Sequence, residues 1–441
     1  MLKQRTFRCG EIHPPDKKHL TSRQPITLCP DPEELIIPFS QHLGAPASPV
    51  VSKGDVVQPG QRIAESSGFI SAHIHTPLGG EVKEIRRVFL PAGFSVDAAV
   101  IAADADASFE LQETPREMLE SLDAEQLLDR LKDAGVVGMG GAAFPAHVKF
   151  KIPKGKQAEY LLINGAECEP YLNADNRLML EHTEAVLEGI GYIQRMTNAK
   201  QVIIGVEVNK LEAIEQLGRT IGSMGLDFTI QPLKVQYPQG DEKQLIEAIL
   251  DREVPSGGLP IDVGAVVSNI GTAYAVFEAL RMEKPLFERV VTVSGEAITA
   301  PANIRAKVGT TFRQMIDLAG GFSEEPYKIV AGGPMMGFAV FDLDTPVMKG
   351  TSGILALTKS QVQEGVQTSC ISCGRCVRGC PMGLQPTRLF HLIDRGRYEE
   401  AKAAYLLDCK ECGCCSYSCP AKIHLVQGMR LGKRMLRNMS S

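Results

Sequence analysis

The chain has 441 residues, 44% hydrophobic and 22% charged, a length that suits about three domains. A formal net charge of −5, no Trp and only 6% aromatics argue against a nucleic-acid binder, which needs a basic excess and stacking surfaces. The first fifteen residues carry charges throughout and no apolar run, so no secretory signal is expected there.

In chain order, residues 1–30 are rich in Pro, Lys and His and are expected to be irregular, wrapping another domain. Between residues 35 and 90, short β-prone runs (35–39, 50–51, 62–64 and 81–85) alternate with Gly/Pro turns. Two related halves, Val51-Ser-Lys-Gly-Asp-Val-Val and Thr76-Pro-Leu-Gly-Gly-Glu-Val, resemble the lipoyl/biotinyl sandwich known as the barrel-sandwich hybrid. Where such carriers present a modifiable Lys, this chain has Ser67-Gly-Phe-Ile-Ser-Ala-His-Ile-His, which disfavours a swinging arm. His73 and His75 share one strand face; a polar, solvated face is the preferred reading over a metal site.

An acidic linker over residues 104–120 precedes one helical pattern, beginning at Met118, running through Leu127, Leu128 and Leu131 and ending near Gly135. Strand-like runs at 160–163, 202–208 and 265–267 then alternate with helical ones at 178–193, 211–221 and 242–250. This alternation predicts an α/β layer with a mostly parallel sheet. The most apolar stretch, residues 263–280, is interrupted by Ser268, Asn269, Gly271, Thr272 and Glu278, so it suits a buried strand, turn and helix rather than a membrane span. Two features here could serve a ligand. Closely spaced glycines in Gly138-Met-Gly-Gly-Ala-Ala-Phe-Pro allow a backbone to approach a phosphate or flat ring. Asn164-Gly-Ala-Glu-Cys-Glu-Pro follows a strand directly, at the carboxyl end where α/β sheets bind ligands, and its polar side chains suit ribityl and ribose hydroxyls. Residues 289–342 form a smaller unit with a β-grasp pattern.

Nine of the twelve cysteines fall between Cys370 and Cys419. They include Cys370-x-x-Cys373-x-x-Cys376-x-x-x-Cys380-Pro and Cys409-x-x-Cys412-x-x-Cys415-x-x-x-Cys419-Pro. Three thiolates two residues apart can wrap three corners of a cubane, while the fourth, before Pro, reaches the neighbouring cluster. The reading assigns Cys370, Cys373, Cys376 and Cys419 to one [4Fe–4S] cluster and Cys409, Cys412, Cys415 and Cys380 to the other. Zinc would gain nothing from the third and fourth Cys of each motif. Cys414 is off register and is read as a packed spare thiol.

The glycine loop resembles the Gly-Arg-Gly-Gly-Ala-Gly-Phe-Pro loop of the FMN- and NADH-binding subunit of respiratory complex I. Asn164 to Pro170 resembles that subunit's Asn-x-Asp-Glu-x-Glu-Pro, and Tyr237-Pro-Gln-Gly-Asp-Glu its Tyr-x-x-Gly-Glu-Glu. Ser268-Asn269 falls where that subunit has an Asn-Asn pair. The opening Thr6-Phe-Arg-Cys-Gly-Glu-Ile-His-Pro-Pro and the order of units resemble the C-subunit family of the Rnf complex, a membrane-bound ion-translocating ferredoxin:NAD oxidoreductase. The implied fold is multidomain α/β and α+β. It comprises a barrel-sandwich hybrid (1–103), a complex I flavoprotein-like FMN/NADH-binding α/β domain (118–285), a soluble-ligand-binding β-grasp (SLBB) domain (286–345) and a helical ferredoxin module with two [4Fe–4S] clusters (358–441).

The resemblance further implies FMN held by the backbone around Gly138, Gly140, Gly141 and Ala142, with Lys149 near its phosphate. Asn164, Glu167 and Glu169 would serve the ribityl chain and nucleotide, Phe144 would stack on the dinucleotide, and Asn269 would line the flavin site. Met139 and Ala143 depart from the complex I loop, where Arg and Gly stand, and Asp241 replaces a Glu. Implied partners are NADH, ferredoxin indirectly, and other subunits of Rnf A, B, D, E and G type, with no nucleic acid. The implied location is peripheral, at the cytoplasmic face of the membrane, with electrons passing between NAD(H), FMN and the clusters coupled to Na⁺ or H⁺ transport. The alternatives are a soluble flavin/iron–sulfur reductase of corrin-reductase type and an electron-transfer scaffold with a vestigial flavin site. The basic C-terminal segment fits an anionic membrane and a solvated helix end equally.

Overall fold

The structure, a computed structural model, describes residues 3–104, 107–362 and 365–440. Residues 34–103 form two small sheets face to face. One orders Glu34–Pro38, Ser95–Ala103, Gly80–Phe89 and Val56–Val57; the other orders Ser48–Pro49, Arg62–Glu65 and Ile74–His75. Alternation supplies one core to both sheets: Leu35, Ile37, Val82 and Ile101 meet Ile63, Ala64 and Ile74.

The next unit is a parallel sheet in the order Phe228–Leu233, Gln201–Glu207, Tyr160–Gly165, Ala265–Asn269. Its inner strands are mostly apolar on both faces, as a two-sided sheet requires. Leu161, Ile163 and Val266 face the helices Thr183–Thr197 and Ile270–Arg281, whereas Leu162 and Val267 pack with Leu245 and Ile249 of Glu242–Leu250. Among the described residues no helix is long and apolar enough to cross a membrane.

Two long helical patterns break. The one expected from Met118 divides at Leu122 into Arg116–Ser121 and Ala124–Asp133, because Asp123 starts the second helix with a full capping box to Gln126. The other divides at His182 into Ala174–Glu181 and Thr183–Thr197.

The β-grasp sheet reaches past the expected unit 286–345. Its order is Ile26–Leu28, Ala302–Lys307, Glu288–Ser294, Gly353–Leu357, Lys328–Ala331, Phe338–Val340. Gly353–Leu357, five buried residues, sits in mid-sheet, and the outermost strand, Ile26–Leu28, pairs in parallel with residues 303–305. Residues 5–28 run outside the two sandwich sheets, whose first strand is Glu34–Pro38.

Those first residues act as a strap. Arg5 bridges the end of Phe228–Leu233, accepting from Lys234 N–H at 3.0 Å, and Ile12 exchanges backbone hydrogen bonds with Tyr237 at 3.3 and 3.2 Å. Between them, Gly10 at φ +68° runs so close to the Cys380 backbone that a Cβ would stand 2.2 Å from its carbonyl carbon. Only glycine fits there. Lys18 then donates to the Glu169 carbonyl at 3.0 Å, and Asn173 donates to the Lys18 carbonyl at 2.8 Å.

His73 and His75 are 7% and 5% exposed, which corrects the reading of a solvated face. The sandwich turns that face onto Gly135 and onto Lys349 of the β-grasp unit. Lys349 Nζ donates to the carbonyls of His73 and Gly135, both at 2.7 Å. Burial pulls Lys349 down from 10.5 to about 7. Lys349→Met is expected to unpin the sandwich, costing about 1–3 kcal/mol. Limited proteolysis should then cut residues 34–103 faster than in the parent; equal rates would show that the pin contributes nothing.

Candidate functional site

Strand order reverses between Tyr160–Gly165 and Ala265–Asn269, so the crevice at their carboxyl ends is a topological switch point. Asn164 and Asn269 are register partners at its mouth. Asn269 caps Ile270–Arg281, accepting from Thr272 N–H at 3.2 Å, and its amide donates to Asp175.

The glycine loop folds over this crevice. Met139 N–H donates to Thr272 Oγ1 at 2.9 Å, Gly138 N–H donates to the Phe144 carbonyl at 2.8 Å, and Gly140 packs against Asn269. Gly141 has φ +108° and no heavy atom within 4 Å of the Cβ it lacks, leaving an open backbone cradle; Ala142 beside it is exposed. Ala143 carries a side chain at φ +48°, a conformation that costs a non-glycine residue about 1 kcal/mol or more. Phe144 is half-buried. Lys149, on Ala146–Phe150, is ion-paired with Glu242 at 2.7 Å.

The acidic segment divides its duties. Asn164 Nδ2 donates to the Gly240 carbonyl at 2.8 Å, holding the 237–242 turn to the crevice. Glu167 accepts from the N–H groups of Asp175 and Asn176 at 2.9 and 3.3 Å, so its carboxylate closes the start of Ala174–Glu181. Burial, with Glu167 alongside, pushes the Asp175 carboxyl up. Glu169 turns away from the crevice: it accepts from Met335 and Met336 N–H at 3.1 and 2.9 Å, in the turn before the strand Phe338–Val340. Burial pushes its carboxyl up to about 7 against those donors.

From this turn the structure leads straight to thiols. Tyr237, 2% exposed, has its hydroxyl 2.8 Å from the Cys412 carbonyl, to which it donates, and 3.3 Å from Glu169 Oε1. Gly240 N–H donates to Cys168 Sγ at 3.3 Å, and Gln244 Nε2 donates to the Pro381 carbonyl at 3.0 Å. Tyr237 was legible in the sequence only as part of a motif; its place as a bridge depends on a contact 175 residues away.

Cys380, Cys409, Cys412 and Cys415 line one apolar cavity, together with Met382, Leu384, Leu389 and Met429. Cys414 lines it too, fully buried. Among the described residues no three His, Cys, Asp or Glu groups close around a single-ion site. Lys433 Nζ donates to the Cys409 carbonyl at 2.6 Å and pairs with Glu411 at 2.8 Å. Of the other motif, Cys376 and Cys419 are buried together, Cys373 is half-buried and Cys370 is exposed. The helix Leu425–Ser440 buries Leu425, Val426, Met429 and Leu436 against this module, while Leu431 and Met439 stay exposed.

Four domain families match the chain: the RnfC barrel sandwich hybrid domain over residues 5–106, the Nuo51 FMN-binding domain over 131–278, the SLBB domain over 290–339 and a 4Fe-4S dicluster domain over 369–423. The C subunit of the proton-translocating ferredoxin:NAD(+) oxidoreductase complex of Clostridium ljungdahlii is 48% identical, across 98% of this chain and 93% of its own length. Its counterpart in the Na(+)-translocating ferredoxin:NAD(+) oxidoreductase complex of Acetobacterium woodii is 44% identical, across 98% and 97%. The C subunit of the ion-translocating oxidoreductase complex of Rhodobacter capsulatus is 43% identical, across 98% and 83%. An NAD+-reducing [NiFe]-hydrogenase in the H2-reduced state shares the fold, with a TM-score of 0.51 at 17% identity over 74% of this chain and 64% of that one.

Proposed function

The chain belongs to the family of C subunits of ion-translocating ferredoxin:NAD(+) oxidoreductase complexes, and from that premise we propose a route for electrons through it. FMN bound here supplies two-electron exchange with a nicotinamide and one-electron exchange with iron–sulfur clusters. The chain's own residues do the placing. Gly138, Gly140, Gly141 and Ala142 offer the backbone cradle, Phe144 and Asn269 stand at its mouth, and Lys149 reaches a phosphate by loosening its pair with Glu242. Asn164 holds the 237–242 turn that carries the link onward. Glu167 and Glu169 act as positioning residues, the first for a helix start and the second for the neighbouring β-grasp turn.

The observation that carries the route is Tyr237: one side chain joins the turn at the crevice to the Cys412 loop. It supports an order in which the Cys380/Cys409/Cys412/Cys415 set stands next to the flavin crevice and the Cys370/Cys373/Cys376/Cys419 set stands outermost. The four units, with their borders at 1–103, 118–285, 286–345 and 358–441 adjusted for the strap and for Gly353–Leu357, would serve as sandwich, flavin unit, clamp and electron outlet. We place the protein peripherally at the cytoplasmic face of the membrane, bound to the other subunits of its complex.

Anaerobic purification tests the reading. About one flavin and about eight irons per chain are expected. Gly141→Val, which fills the cradle and strains φ +108°, should lower flavin content at least tenfold with iron unchanged. Intact clusters without flavin in the parent protein would favour the scaffold reading instead.

A further inference from the structure

We infer that the face around Cys370 docks an acidic one-electron carrier protein; this rests on the outermost position proposed above for that thiol set. Cys370 is the one exposed thiol among the eight motif cysteines. Beside it, Ile371 is 67% and Val377 39% exposed, two apolar side chains turned to solvent next to a redox centre. Arg375 and Arg378, on the short helix Arg375–Arg378, line an open cleft of about 700 Å³ against the strap, together with Arg8 and Glu11.

Charge selects the occupant. Arg8 is already held by Asp251, whereas Arg375 and Arg378 make no ion pair among the described residues. Residues 365–393 contain three Arg and no Asp or Glu, in a chain whose net charge is −5. This local reversal, with one Glu11 against it, complements an acidic face and repels a basic one. Small apolar contacts ringed by charge suit a transient encounter that must form and release at every turnover. In the transfer itself, one electron leaves the outermost cluster and one arrives on the carrier's centre; the cluster is oxidised by one unit, the carrier reduced by one, and no bond or proton moves.

The test uses the complete complex with Arg375→Glu and Arg378→Glu combined. We expect iron content and NADH oxidation by a small soluble acceptor to stay within about twofold. Delivery to the remainder of the complex should fall at least about tenfold, with weaker co-purification of the partner. A matched pair on the sandwich, Lys83→Glu with Arg86→Glu, should leave delivery unchanged. The parent complex provides a check that needs no variant: raising salt to about 1 M, where screening acts over about 3 Å, should slow delivery while sparing the small acceptor. Salt-insensitive delivery by a fully loaded parent overturns the docking face and leaves the flavin-to-cluster route standing; missing flavin or iron in the parent fails that route first. Arginine-dependent binding of the loaded chain to phosphatidylglycerol vesicles would assign the face to lipid and overturn the inference.

Discussion

Cys380→Ala is expected to empty the cluster whose other three ligands lie some thirty residues downstream, leaving about four of about eight irons per chain. Cys380 belongs to the first motif by sequence but lines the cavity of Cys409, Cys412 and Cys415. Flavin content and NADH oxidation by a small acceptor should persist, because the crevice contacts of Asn164, Thr272 and Asn269 do not involve Cys380. Electron delivery beyond this protein should fall below about 1% of the parent, since removing one step from a chain of short transfers opens a gap that tunnelling does not cross usefully. Iron analysis and low-temperature EPR read the result. Cys414→Ala is the matched control: Cys414 lines the same cavity, so full iron with this variant and half with Cys415→Ala would set the register. Equal loss in both would overturn it.

Glu169→Ala should cost about 1–2 kcal/mol, because it removes the acceptor of the Met335 and Met336 N–H groups, the first part-buried and the second exposed. Glu169→Gln retains an oxygen for one of them and should cost less. The two differ from the parent in pH dependence as well. In the folded chain burial raises this carboxyl from 4.5 to about 7. Between those values the folded state holds a proton that the unfolded state has released. This group's contribution to stability is therefore greatest below 4.5 and declines as pH rises through about 7. The Gln variant should lose that slope, so its deficit against the parent narrows from pH 5 to pH 8 in thermal melts of the loaded protein. A deficit that stays constant from pH 5 to pH 8 would show that Glu169 is an ordinary ionised carboxylate.

Much of this was legible because local chemistry decided it. Runs such as 160–163 and 202–206, almost wholly apolar, announced a parallel sheet, and the cysteine spacings announced cubanes. Asn164 could be named because it follows a strand-like run and Asn269 because of the complex I resemblance, and both stand at the switch point. The helix break at Leu122 was readable as well, from Asp123 and Gln126, but the periodicity of Met118 to Leu131 concealed it. Long-range contacts were not legible. His73 and His75 are buried, and the His73 backbone meets Gly135 and Lys349, far off in sequence. Glu167 and Glu169 look alike in Glu-Cys-Glu, yet one closes a helix start and the other grips a β-grasp turn. Lys349, between Met348 and Gly350, gave no sign that it would be fully buried.

The strap of residues 5–28 has a consequence for biogenesis. A chain emerges from the ribosome in order, so Thr6 is made 230 residues before Gln236, its hydrogen-bond partner. Gly10 precedes Cys380 by a still longer interval, and Ile12 must await Tyr237. Its first seats, at residues 232–237, are made long before Cys380, so the strap settles in two stages and closes over the Cys380–Pro381 backbone last.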